Sequence, residues 1–113
     1  MGSARRDLLR FPDRVIDNLG YALGAVQFGE RPRSAKPWKG LGPGILELVE
    51  DDRSGTYRAV YTVRFRMAVY VLHAFQKKSP SGVRTARPDK ELIEDRLADA
   101  RRDYEERYGE KAD

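Results

Sequence analysis

The chain has 113 residues, no cysteine, a single histidine (His73) and a formal net charge of +4. Disulfides, thiolate chemistry and a histidine-rich metal site are thereby excluded, and the length predicts one domain, residues 1–113, around a single modest core. No apolar run approaches a membrane span, and no signal-peptide or N-myristoylation pattern opens the chain, so a cytoplasmic protein with no membrane partner is expected.

The charge is unevenly spread. Residues 1–30 are neutral overall, residues 31–88 hold twelve basic against four acidic side chains, and residues 89–113 hold six basic against ten acidic. A basic middle segment favours a polyanionic partner, because phosphate contacts release condensed counterions. Solubility alone explains an excess of this size equally well.

In chain order, "ARRDLLR" can form a short helical turn. "FPDRVIDNLGYALGAVQFGE" then predicts a helix, with Pro12 in the first turn and Val15, Ile16, Leu19, Leu23 and Val26 at helical spacing. Gly29 is its stop, and Gly20 with Gly24 would admit a second helix closely. The N-terminal third thus reads as a helical hairpin or one kinked helix. Residues 30–44, rich in proline, glycine and basic side chains, predict a loop. "ILELVE", "TYRAVYTVRF" and "MAVYVLHAFQKK" predict three strands joined by short turns, an antiparallel meander. In the second, Tyr57, Ala59, Tyr61, Val63 and Phe65 share one face while Arg58, Val60, Thr62 and Arg64 share the other. After the polar loop "SPSGVRTARP", "PDKELIEDRLADARRDYEERYG" predicts a helix buried along Leu92, Ile93, Leu97, Ala100 and Tyr104 and ended by Gly109. The fold class is α+β: helices, an antiparallel sheet of three or more strands, and a C-terminal helix.

Walker, G-x-S-x-G, H-E-x-x-H and zinc-spacing patterns are all missing, and one histidine without cysteine leaves most nucleophilic triads unassembled. A basic set on the strands remains. Arg58 and Arg64 lie on one face, and His73, Phe75 and Lys77 on one face of the next strand, with Lys78 opposite. If the two faces coincide, cations and imidazole meet beside an aromatic ring, a set able to grip a phosphodiester, stack a base and stabilise developing charge. The bland alternatives are solvated arginines, lysines guarding a strand end, and a histidine hydrogen-bonded in the core. Composition and periodicity stop at a basic α+β domain that binds nucleic acid or merely stays soluble.

The ordered set "KGLGPGILELVED", "GTYRAVYTV" and "VYVLHAFQKKS", with a following T-x-x-x-D and an Arg-rich helix, resembles the phage-derived HigB-like branch of the RelE/ParE toxin superfamily. The resemblance runs from about Leu8 to about Arg102. It implies a RelE-like fold and the toxin of a type II toxin–antitoxin pair, typically an endoribonuclease that cuts mRNA on the ribosome without metal or cofactor. The 2′-hydroxyl attacks the adjacent phosphate there, with basic side chains in place of paired histidines. On that resemblance Arg58 matches a phosphate-stabilising arginine and Lys77 a second basic catalytic position, extended by Lys78. Glu47 and His73 are candidates for proton transfer. RelE's strand lysines are unmatched in "ILELV", and its C-terminal catalytic tyrosine is unmatched in "SGVRTARPD". Lys36, Lys39, Arg64, Phe75 and Arg84 would contact RNA. The implied partners are a helix-turn-helix antitoxin, mRNA on the ribosome and, in a dimer or toxin–antitoxin hetero-oligomer, a chain that covers the sheet edge left by the family's unmatched first strand. A gyrase poison of the ParE kind and an inactive binding relative are the other readings of the same fold.

Overall fold

The computed structural model describes residues 3–65, 67–77 and 87–109. Two helices come first: α1, Ala4–Leu8, and α2, Asp13–Gln27. Pro12 stands immediately before α2 with φ −55° and ψ 146°, and its carbonyl accepts the first helical bond from the Ile16 amide. The ring thus fixes the entry angle without removing a helical donor. Gly29 ends the helix at φ 85°, while the Gly29 and Glu30 amides bond the carbonyls of Val26 and Ala25. A left-handed residue there closes the last turn, as glycine readily does. Gly20 and Gly24 admit no second helix. A side chain added at either would meet nothing within 4 Å, because the buried face of α2 is Val15, Leu19, Ala22 and Val26.

Among the described residues four strands, within the three or more expected, form an antiparallel sheet in the order β1-β2-β3-β4. They are β1, Ala35–Pro37; β2, Ile45–Asp52; β3, Gly55–Thr62; and β4, Tyr70–Lys77. The added strand β1 lies inside the expected loop and pairs with Leu46–Leu48 at the edge. Proline is tolerated at such an edge, where Pro37 need not donate to the ladder. The third predicted strand starts later than its apolar run, and the second ends at Thr62. There the Thr62 hydroxyl donates to the Gly44 carbonyl and accepts from the Arg64 amide.

The sheet is covered on both faces. α2 packs on one side against Leu48, Tyr57, Ala59 and Tyr61. On the other, the C-terminal helix α3, Arg87–Tyr108, packs Ile93, Leu97, Ala100 and Tyr104 against Ile45, Val60, Leu72 and Phe65. Ala59 through Thr62 are therefore all buried, as a central strand between two layers requires. Phe65 joins the α3 side rather than the Tyr57–Tyr61 face predicted for it. The chain has left the strand by then, so the two-residue alternation no longer applies. β3 and β4 slip register between Val60 and Tyr61, leaving Leu72 as the extra residue on β4. α1 lies beside β4, with Ala4 fully buried.

Candidate nucleic-acid site

Register brings several of the predicted residues to one place. Arg58 is directly opposite Phe75 and Val60 opposite His73, so Arg58, Phe75 and His73 project from the α3 side of the sheet. On β2, Glu47 pairs with Val60 and Val49 with Arg58, and Lys36 of β1 pairs with Glu47. Glu47 and Arg58 are diagonal neighbours, a separation that two long side chains can bridge.

They do bridge it. Arg58 Nη1 donates to Glu47 Oε1 at 2.6 Å. The side chains are 17% and 11% exposed, so the ion pair sits at the boundary of the core. Glu47 Oε2 and Arg58 Nε are buried and have no hydrogen-bond partner among the described residues. Buried polar atoms are nearly always satisfied, so this closed pair holds a local cost that a bound group could relieve. The lone Glu47–Arg58 bond uses less than the fork of a guanidinium can offer a bidentate anion.

His73 is 6% exposed and stacks on Phe75, with ring centroids 4.8 Å apart and planes 18° from parallel. Arg96 of α3 lies against it: Nη1 is 3.4 Å from His73 Nδ1 and donates to the Leu72 carbonyl at 2.9 Å, and Nη2 donates to Ser3 Oγ. Arg96 is a residue the sequence reading missed. Its spacing three residues after Ile93 and four before Ala100 places it on the buried face of α3, and that was the available signal. It ties α3, the strand edge and the N-terminal segment together around His73.

Arg64 lies elsewhere. It follows the end of β3, some 20 Å along the chain from Arg58 at strand rise. Its Nε donates to the Pro43 carbonyl at 2.9 Å and its Nη2 to the Leu41 carbonyl. Gly42 and Gly44, at φ 85° and 84°, leave room for it: an added Cβ would lie 2.9 Å from Arg64 Nη2 or Cγ. The "GLGPG" run is thus a cradle for this arginine. Lys36 and Lys39 are exposed beside the sheet edge. The Lys77 backbone pairs with Thr56, while its side chain, together with Lys78 and Arg84, lies outside the described residues.

At the opposite end of the sheet, the Tyr70 hydroxyl donates to Asp103 Oδ2 at 2.6 Å, and Arg107 bonds the same carboxylate. The hydrogen bond from Tyr70, then that from Arg107, holds the Asp103 carboxyl below its ordinary value. Burial first, and Asp103 second, push the Tyr70 phenol well above its own.

Among the described residues no helix is long and apolar enough to cross a membrane. No curated protein and no solved structure matches the chain. A family model does: that of the phage-derived Gp49-like proteins (DUF891) matches residues 6–98. That span includes every strand, the Glu47–Arg58 pair, His73, Phe75 and Arg96. The chain belongs to the Gp49-like family, a family of toxin–antitoxin toxins within the RelE/HigB-like group, and an antitoxin is accordingly its partner.

Proposed function

We propose that the protein is a metal-independent endoribonuclease that cuts mRNA on the ribosome and so inhibits translation. The observation that carries this reading is the Arg58–Glu47 pair beside Phe75, closed yet incompletely satisfied. A scissile phosphate competes for Arg58 and offers it two oxygens, which frees the Glu47 carboxylate. Glu47 then takes the proton of the adjacent 2′-hydroxyl while that oxygen attacks phosphorus. Arg58 stabilises the charge on the five-coordinate phosphorus. The bond from phosphorus to the 5′-oxygen breaks, and the products are a 2′,3′-cyclic phosphate and a 5′-hydroxyl.

Lys77 and Lys78 are the cations that bind the phosphate and protonate the leaving oxygen. Phe75 stacks a base beside the scissile bond, and His73 with Arg96 holds its ring in place. Lys36 and Lys39, exposed on the β1 edge, follow the RNA backbone.

A second reading has its own support. Because Glu47 neutralises Arg58 in the free protein, a relative that binds without cutting is also consistent with the pair. One assay separates the two: purified protein is incubated with mRNA on translating ribosomes, and the RNA ends are mapped. The nuclease reading expects new 5′-hydroxyl ends, lost by about a hundredfold or more in Glu47→Gln. Intact mRNA with wild-type protein defeats it in favour of the binding-only reading.

A further inference from the structure

A groove of about 1010 Å³ lies at the far end of the sheet from Arg58, between the C-terminal ends of α2 and α3. Its walls include Val26, Leu46, Phe65 and Val69. Met67 is 55% exposed, Val63 and Tyr108 are also open to solvent, and all three line it. Phe28, 88% exposed, sits between the lining residues Gln27 and Gly29. Exposed apolar side chains thus gather around a groove that also carries polar groups, a combination that suits an interaction site.

Two polar groups distinguish the groove from a merely sticky surface. Tyr61 is 1% exposed and lines the groove, yet its hydroxyl has no hydrogen-bond partner among the described residues. A tyrosine hydroxyl with no protein partner at the wall of a groove is a donor and acceptor that water or a ligand there can bond. Arg31 also lines the groove, close enough to Tyr61 to act on its phenol electrostatically. Among the described residues Arg31 has no carboxylate partner. Glu30 lies next to it on the same wall, so a uniformly acidic partner is disfavoured and one acid placed on Arg31 is favoured.

We infer that this groove is where the antitoxin docks, through a segment carrying large apolar side chains and one carboxylate that bonds Arg31 and the Tyr61 hydroxyl. The apolar side chains fill the space between Val26, Phe65 and Met67, while Phe28 closes over the outside. The inference rests on membership of a toxin–antitoxin family and not on the cleavage reading. A docked segment leaves Arg58 and Glu47 uncovered, so inhibition works by keeping the toxin off its large target. Failure here leaves the nuclease reading untouched.

The test uses the full chain and two synthetic amphipathic peptides of the same register, one of leucine and glutamate, the other of leucine and lysine. Amide shifts and calorimetry are recorded for each. The expected result is binding of the glutamate peptide with shifts at Val26, Gly44, Met67 and Tyr108. Its affinity is expected to exceed that of the lysine peptide by about tenfold, the size of one charge-assisted contact. Arg31→Glu should reverse the preference, Tyr61→Phe should weaken the glutamate peptide severalfold, and Met67→Asp, at an exposed position that does not threaten the fold, should abolish both. Equal affinity for the two peptides, or shifts confined to the Arg58 end, overturns the inference. So does a dimer in sedimentation that Met67→Asp dissolves, since the occupant is then a second copy of this chain.

Discussion

The two ends of the sheet each hold an arginine from the same stretch of sequence, and they use it in opposite ways. Arg58 sits within β3 and meets one carboxylate oxygen, leaving buried donor and acceptor atoms without partners among the described residues. Arg64 lies beyond the strand and gives its donors to two carbonyls of the glycine-rich loop, which closes around it. A guanidinium satisfied by fixed backbone acceptors is a structural staple. One held by a single side-chain carboxylate, next to an aromatic ring, can be exchanged for a phosphate. Residue type and spacing do not separate the two roles; what each side chain bonds does.

The largest expected effect is at Arg58. Arg58→Ala should lower cleavage of ribosome-bound mRNA by about a hundredfold to a thousandfold, as for loss of a charge-stabilising donor. It should also cost about 3 kcal/mol of stability in denaturant unfolding, because Glu47 is left nearly buried without its cation. An unchanged cleavage rate would erase the distinction between the two ends.

At the other end the effects fall on stability alone. Gly44→Ala should destabilise by about 2 kcal/mol, because φ of 84° is strained for alanine and the new methyl group would press on Arg64. Arg64→Ala should cost about 1.5 kcal/mol for the lost charge-assisted bonds to the loop. Both are read from denaturant midpoints, with cleavage per folded molecule staying within about twofold, well under one catalytic contact.

The smallest effect is a pH dependence at the Tyr70–Asp103 contact. Asp103 titrates below its unfolded value, so its contribution is present above the ordinary carboxylate range and is lost as pH falls through the depressed value. Tyr70 titrates above its unfolded value, so its contribution is present at neutral pH and is lost as pH rises beyond the ordinary phenol range. The stability gap between wild type and Tyr70→Phe should therefore be widest near neutrality and narrow at both extremes. A gap independent of pH would show that the hydroxyl does not act through Asp103.

Much of this was legible in the sequence. Helical spacing located α2 and most of the buried stripe of α3, and alternation with short turns gave the meander. β1 was not legible, since Ala35–Pro37 is too short and proline-rich to show a period and is a strand only because β2 supplies the pairing. The site was half legible: face sharing puts Arg58, His73 and Phe75 together only if the faces of the two strands coincide, and the register makes them coincide. The Glu47–Arg58 bond was not, because a diagonal contact depends on a register that hairpin periodicity does not fix. Arg64, expected among the RNA contacts, follows the end of β3 at Thr62, where strand alternation no longer says which way a side chain points.

The same conservative change at each end tests the account most directly. Arg58→Lys and Arg64→Lys keep the charge and remove the planar fork, and each variant is measured for cleavage of ribosome-bound mRNA and for Tm. Arg58→Lys should lose cleavage by at least about thirtyfold with Tm nearly unchanged, a phosphate fork being worth more than a point charge. Arg64→Lys should lower Tm by about 5 °C and keep its cleavage rate. Cleavage surviving in Arg58→Lys and lost in Arg64→Lys would contradict the account.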